Sequence, residues 1–397
     1  MLIFIHGCMT LGVAMRDLLL IGGGHSHALV LREFALQPLP PDVRVTLLSG
    51  TAKAPYSGML PGYVARHYGA ADVHIDLKRL AHAAGAALHI GMATGIDRST
   101  RRVLCSDGRA LPYDLLSINI GSAPQRSGVE GAAEHSTPVK PQAAFEARWQ
   151  ALLAQVREQP TQAVRVAVVG GGAGGVELLL AMQHRLMWEL LSLGVSKSAA
   201  QALLRFDLLT QSSTIMPTHG KSVQQRFSSV LARRGVAVHC DSQVVTVRDG
   251  QVVTRGGLAL DVDVCFWVTQ AGAAPWLQQT GLALDVKGFI QVNDHLQSVN
   301  DPRIFAAGDA AAMTRYPLEK AGVVAVRQAR PLAANLRRSL AGQALQPYHP
   351  QRRWLALIST GNRYAVASYG GFGFSGACVW QVKNLIDRRF MQRFVPS

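Results

Sequence analysis

Cysteine is scarce. The 397 residues hold five, Cys8, Cys105, Cys240, Cys265 and Cys378, and no two stand at the spacing of a zinc-ligand pair or a redox CxxC. A zinc scaffold and a local disulfide centre are thereby excluded, no metal is expected, and the usage suits a reducing compartment such as the cytoplasm. Long apolar runs are missing too: no stretch reaches the ~20 residues that a spanning helix needs. Acidic residues are few, 25 against 40 basic ones, which leaves a formal net charge of +15. A basic surface can serve nucleic acid or an anionic membrane. Here 32 of the 40 basic residues are arginine, dispersed without a block except near the C-terminus. A solvated basic surface is therefore expected, with no nucleic-acid partner. At 48% hydrophobic and 16% charged the chain is globular, and it is long enough for two or three separate cores.

Glycine is plentiful, at 38 residues, and it gathers at informative places. From Val164 the chain reads "VRVAVVGGGAGGVELLLAM": a β-branched strand, the turn Gly170-x-Gly172-x-x-Gly175, then an apolar helix. The three glycines serve a tight turn, close backbone approach to a pyrophosphate, and close helix-on-strand packing. Ala173 and Gly174 lie inside that turn, where the first N–H groups of the helix face phosphate. Residues 16–27, "RDLLLIGGGHSH", repeat the plan less faithfully. Gly22 and Gly24 supply the turn and the approach, and His25 and Ser26 open the helix. His27 takes the third glycine position, so the helix should stand further from the sheet or the imidazole should point outward. Neither His25 nor His27 has an evident partner in sequence, and no catalytic role is expected of them. A third signal, "DPRIFAAGDAA" from Asp301, delivers Gly308 and Asp309 from a strand into a helix start; Asp309 suits an N-cap or an acceptor for ribityl hydroxyls.

These segments, with "LPYDLLSINIGSAP" (111–124) and "DVCFWVTQAGAAPWL" (263–277), resemble in order the two-dinucleotide-binding flavoproteins of the pyridine nucleotide-disulfide oxidoreductase superfamily. Within it the chain is most similar to type II NADH dehydrogenases. Through "GGGHSH", "PYSGMLPG" and "DRRFMQRF" it is closest to the flavoprotein module fused to selenide, water dikinase. The resemblance implies an α/β fold of two Rossmann-like three-layer domains, one for FAD and one for NAD(P), with a small C-terminal α+β region. It implies that Gly22 and Gly24 bind the FAD pyrophosphate, that His25 and Ser26 belong with them to the cofactor-binding residues, and that Ser49 stands where an acid usually holds the adenosine ribose. Pro55, Tyr56, Ser57, Gly58 and Met59 would line the isoalloxazine, Gly121 and Gly308 would adjoin it, and Asp309 would hold the ribityl chain. The second turn would bind NADH or NADPH, and Glu177 would stand near the nicotinamide–flavin contact as the one catalytic side chain. The helix opening at residues 319–329 would aim its N-terminus at the flavin pyrimidine edge, with Lys320 adding positive charge.

Some positions depart from that pattern. Gln270 replaces a usual glycine, and "FDLLTQSS" (206–213) has neither an acid for a 2′-hydroxyl nor an arginine for a 2′-phosphate. Cys105 and Cys265 sit in apolar strands and read as buried thiols, not as a sulfide-oxidising pair. Residues 1–14 read as an N-terminal extension without the basic start of a signal peptide. Residues 15–150 and 280–345 form the expected FAD domain, and 160–279 the NAD(P) domain. Residues 346–397 form a hairpin about a Gly-Asn turn plus a helix with Val382, Ile386, Phe390 and Phe394 on one stripe and Lys383, Arg388, Arg389 and Arg393 elsewhere. Such a helix, residues 379–394, can lie on the inner face of a membrane, bury its stripe in a homodimer, or pack it on the core with a solvated back. Two functions follow: an NAD(P)H dehydrogenase passing electrons to a quinone-like acceptor, or an accessory flavoprotein linked to selenium metabolism.

Overall fold

The computed structural model describes residues 14–126, 128–269, 271–351 and 353–395. Residues 1–13 of the expected extension, and Gln270, lie outside the described residues. The chain is a mixed α/β structure built on two large sheets. The first has eight strands, and its centre is parallel: Arg16–Ile21 lies between Val43–Ser49 and Leu115–Ile118, and Asp301–Ala306 pairs on the far side of Leu115–Ile118. The segment Asp301–Ala306 thus joins, from far along the chain, the sheet that Arg16–Ile21 begins. The second sheet has five strands in the order Thr137–Pro138, Val264–Trp267, Val164–Val169, Leu204–Leu209, Ala237–His239, all parallel.

The strand sequences explain this. "VRVAVV" and "LLLI" are buried almost throughout, as strands covered on both faces by helices must be. The helices His25–Leu36 and Gly322–Leu340 pack together on the first sheet, and Ala173–Ser192 covers the second. Each large sheet has its own core, one gathered around Leu18–Ile21 and Phe305, the other around Phe145, Trp149 and Phe206. Each also carries a three-stranded antiparallel sheet, in residues 93–112 and 244–261.

The tail differs from expectation in two ways. The turn at Gly361–Asn362 is present, but Phe372–Gly376 adds a third strand to Ala356–Thr360 and Asn362–Tyr369. Gly361, at φ +86°, brings this turn so close to Leu180 O that a Cβ there would collide with the helix Ala173–Ser192. The terminal helix Ala377–Gln392 then buries Val379, Lys383, Asp387 and Phe390, whereas Val382, Leu385 and Ile386 are exposed. The expected polar and apolar faces are thus partly exchanged: a lysine points inward because two carboxylates await it there, and part of the apolar stripe faces out. Among the described residues no helix is long and apolar enough to cross a membrane.

Candidate flavin and nucleotide sites

The first glycine turn is organised by a residue that sequence reasoning passed over. Asn119 follows the strand Leu115–Ile118, and its Oδ1 accepts from the backbone N–H of Ser26 at 3.1 Å and of His27 at 3.3 Å. Its Nδ2 donates to Ala307 O at 2.8 Å. Asn119 also excludes any side chain at Gly22, which holds φ +94°, and at Gly24. One amide therefore caps the helix His25–Leu36 and joins three strand ends. Its signal in sequence was only an amide at the end of an apolar strand, "LLSIN".

His27 does not point outward. It is fully buried, with Nδ1 2.7 Å from Gly22 O and Nε2 2.8 Å from Ser117 Oγ. A carbonyl can only accept, so Nδ1 carries the proton and Nε2 accepts from the serine. Burial lowers this imidazole to about 4, against the pull of the Gly22 carbonyl, so it is neutral at pH 7. The third glycine's close packing is replaced by a hydrogen-bonded bridge from turn to sheet. Ser26 Oγ donates to Ala325 O at 2.8 Å and holds the neighbouring helix. Ser49 ends its strand beside Gly23 and donates to Thr51 O at 2.9 Å.

Around this turn lie the other expected residues. Asp309 accepts from Ser122 Oγ at 2.6 Å, one residue past Gly121, and from Lys140 Nζ at 3.2 Å. Burial would raise its carboxyl, but Lys140, Ser122 and Lys320 outweigh burial and hold it below its ordinary value. Gly308, at φ +65°, donates its N–H to the buried Gln328 Oε1 at 2.6 Å. The His25 ring lies steeply inclined to those of Tyr56 at 5.4 Å and Phe390 at 6.2 Å, and its Nε2 is buried with no hydrogen-bond partner among the described residues. Burial and the Lys140 cation lower it to about 4, while Asp309 opposes them. Gly322, first residue of its helix, has its Cβ direction 3.6 Å from Ser57 Oγ and 3.9 Å from the His25 ring.

Two members of the set behave otherwise than expected. Met59 is packed into a small core with Tyr68 and Val73 and lines no open surface. Lys320 donates to Ala311 O at 2.6 Å and lies over the Phe289 ring at 3.8 Å, where burial lowers it to about 8. Its ammonium is thus tied to the strand Ala311–Met313, from where it also helps to lower Asp309.

The second turn has the geometry its glycines demand. Gly170, at φ +129°, abuts Val268 O, and a Cβ at Gly175 would run into Gly170 O. Gly172 caps the helix Ala173–Ser192 with open space over it, so Ala173 and Gly174 present their N–H groups to solvent. On that helix Glu177 accepts from Ser359 N at 2.7 Å, and burial pushes its carboxyl up against the opposing Lys383 charge and the Ser359 bond. Lys383 Nζ donates to Asp387 Oδ2 and to Gly58 O, both at 2.8 Å, and Tyr56 OH donates to Asp387 Oδ1 at 3.2 Å. Burial would lower Lys383, but Glu177 and Asp387 outweigh it and raise it; burial raises Asp387. Tyr56 is stacked on Phe390 at 4.4 Å. From sequence, Lys383 read as one of the basic charges of a helix able to lie on a membrane, and Asp387 was given no role.

The cysteines are as expected: Cys105 and Cys265 are buried, and burial pushes Cys265 up to about 12. One grouping escaped the spacing argument. His89, Cys105 and Asp107 bring their donor atoms within 4.8 Å of one another, with Arg109 against both His89 and Asp107.

Two dinucleotide turns on two parallel sheets, with an aspartate and an unpartnered imidazole facing the first, define a flavin- and nicotinamide-dependent oxidoreductase. The chain belongs to the family described as pyridine nucleotide-disulphide oxidoreductase, whose model matches residues 16–329. It is an oxidoreductase enzyme, and FAD and NAD(P)H are the cofactors that membership implies. The donor set fits FAD: an ionised Asp309, the free Nε2 of His25, and open space over Gly121. Among relatives, the NADH dehydrogenase-like protein YutJ of Bacillus subtilis is 23% identical over 360 residues, which is 90% of this chain and 92% of that one. The type II NADH:quinone oxidoreductase of Haemophilus influenzae is 26% identical over 225 residues, and the match spans 52% of this chain and half the length of that relative. The fold matches that of Plasmodium falciparum NDH2 in complex with NADH, with TM-score 0.78 at 13% identity, over 95% of this chain and 96% of that one.

Proposed function

We propose that the enzyme oxidises NAD(P)H through bound FAD and passes the electrons to a quinone or a similar small acceptor at a membrane surface. The observation that carries this is Tyr56. It touches His25 of the flavin side and Asp387 of the group that contains Lys383, beside Glu177 of the nucleotide helix. Flavin-side and tail elements thus meet at Tyr56, and Lys383 couples them to Glu177 of the nucleotide helix.

FAD, when bound, supplies the hydride acceptor and the relay of electrons. Gly22 and Gly24 give it close backbone approach, Asp309 holds its ribityl hydroxyls, and the helix N-terminus at Gly322 offers its positive end. The second turn and the N–H groups of Ala173 and Gly174 hold the pyrophosphate of NAD(P)H. Reduction of a quinone by NAD(P)H consumes one further proton, as NAD(P)H + H⁺ + Q → NAD(P)⁺ + QH₂. Glu177, with its raised carboxyl beside the Lys383 ammonium, is placed to hold that proton, and Asp387 positions the lysine. The family names of the relatives support the reading, since both are NADH dehydrogenases or like them.

The membrane contact rests on exposed apolar side chains in the tail: Val382, Leu385 and Ile386 on the helix, and Phe372 and Phe374 on the adjoining strand, the former 82% exposed. Arg388, Arg389 and Arg393 flank them with positive charge. Steady-state oxidation of NADH with a short-chain quinone tests the acceptor. Turnover should be first-order in quinone at low concentration, and Glu177→Gln should lower it while leaving flavin content intact. Turnover that ignores the quinone, or a Glu177→Gln enzyme as fast as the parent, would contradict the reading.

A further inference from the structure

The helix Lys221–Arg233 ends near the first turn of the tail sheet. A cleft of about 290 Å³ lies there, lined by Val230, Arg233, Arg234, Thr360, Asn362 and Tyr364. Its walls are tied together. Gly361 in the turn abuts Leu180 O of the helix Ala173–Ser192, and Gln183 of that helix donates from Nε2 to Arg234 O at 2.9 Å. Thr360 is buried, and its hydroxyl donates to Asn362 Oδ1 at 2.7 Å. That bond engages the amide oxygen and leaves the two Nδ2 donors of Asn362 free. Tyr364 OH donates to Ser375 Oγ at 3.2 Å, which also accepts from Arg226 Nη1 at 3.0 Å.

What the cleft offers is donors and positive charge. Arg233 is exposed and Arg234 half-buried, and among the described residues neither guanidinium has a hydrogen-bond acceptor or an ion-pair partner. Burial and the Arg233 cation lower Arg234; burial, His67 and Arg234 lower the nearby His184 to about 4, so that its ring is neutral. No carboxylate acts on either group. A helix C-terminus favours cations, which accounts for Arg233. It does not account for Arg234, a guanidinium half-withdrawn from water beside a second cation with nothing to accept its protons. An oxyanion supplies both the charge and the acceptors. Two guanidinium forks and an amide suit the several oxygens of a phosphate group. The cleft lies at the small end of ligand sites, with room for a phosphate and a short attached body but not for a dinucleotide.

We infer that this cleft is a phosphate-binding site, filled by a small soluble phosphate or by the headgroup of an anionic lipid, which clamps the tail sheet to the nucleotide domain. Thr360 follows Ser359, whose N–H bonds Glu177 at 2.7 Å, so the clamp closes one residue from that carboxyl. The inference stands apart from the NAD(P)H reading. Its test uses the FAD-loaded enzyme with excess NAD⁺, so that phosphate is not read at the glycine turns. Calorimetric titration with inorganic phosphate and with glycerol 3-phosphate, against chloride at constant ionic strength, should show saturable binding at one site. Arg234→Gln should weaken it by ~10–100-fold and Arg233→Gln by less, with flavin content and NAD⁺ affinity unchanged. Arg234→Lys, which keeps the charge without the fork, should fall between parent and Arg234→Gln. Sedimentation with phosphatidylglycerol vesicles, with phosphatidylcholine as the baseline, reads the other source. Titrations that depend on Arg234 while sedimentation does not assign the soluble phosphate; sedimentation that Arg234→Gln reduces assigns the lipid. Indifference to Arg234 in both arms, or phosphate binding that survives both glutamine substitutions, would overturn the inference and leave the oxidoreductase reading standing.

Discussion

Replacing His27 by glycine restores the missing fingerprint residue, and the structure says that this should harm the protein. The imidazole donates to Gly22 O and accepts from Ser117 Oγ, both within 2.8 Å and at a position with no solvent exposure. His27→Gly strands a carbonyl and a hydroxyl in the core, at about 1–3 kcal/mol each. The cavity left by the ring adds ~1–2 kcal/mol, at about 24 cal/mol per Å³. The sum is about 3–8 kcal/mol, and relaxation around the cavity favours its lower half. For a cooperative unit of 150–250 residues, at ~2–4 °C per kcal/mol, the melting temperature should fall by about 10–20 °C. Because Gly22 is the turn itself, FAD should also be lost on dilution at lower protein concentration than for the parent. His27→Gln keeps one of the two bonds and should show about half the loss. The assay is thermal unfolding followed by circular dichroism and by flavin fluorescence, which reports release. A His27→Gly protein within ~1 kcal/mol of the parent, with undiminished flavin, would show that the bridge is not what replaces the glycine.

Other consequences can be checked alongside. Asp309→Ala should strip much of the flavin, measured as the ratio of visible to ultraviolet absorbance; full occupancy would remove Asp309 from the site. Lys383→Met leaves Glu177 and Asp387 buried without a cation and should cost about 3–5 kcal/mol. Both carboxyls are raised by burial, so the folded state holds protons that the unfolded state has released, and this loss should grow as pH rises above the ordinary carboxylate range. A pH-independent loss in urea unfolding would contradict that assignment. His25 sits at about 4 in the fold, so between pH 6.5 and 4 the unfolded chain takes up a proton that the folded one refuses. Stability should fall over that window, and His25→Asn should make the slope shallower while His27, also at about 4, keeps its own share. The tail helix should drive sedimentation with anionic liposomes at low salt. Lys383 is drawn inward, so three arginines remain, at about 1 kcal/mol each near the surface; a form ending at Gly376 that sediments equally would assign the exposed face to another contact.

Much of this was legible before the structure. The strands "LLLI" and "VRVAVV" announce themselves as continuous apolar runs ending in glycine, and that pattern alone calls for parallel strands under helices. Asp309 was legible because a Gly-Asp pair followed both turns. What stayed hidden were contacts between residues far apart in the chain. Asn119 acts on Ser26 across 93 positions, and Glu177 meets Ser359 across 182. Nothing in local spacing marks such partners. The tail misled for a related reason. Helical periodicity shows which residues share a face, but whether that face turns inward depends on what waits there. Glu177 and Asp387 draw Lys383 in and leave Val382 and Ile386 to solvent.

The most direct test of the account is an anaerobic titration of the purified protein with NADH, followed by its flavin absorbance. The account predicts a yellow protein that carries FAD without a covalent link, bleaches on addition of about one equivalent of NADH, and regains its colour when a short-chain quinone is admitted. A protein that binds FAD but keeps its colour under both NADH and NADPH would contradict it. The accessory, selenium-linked function would then be the one to pursue.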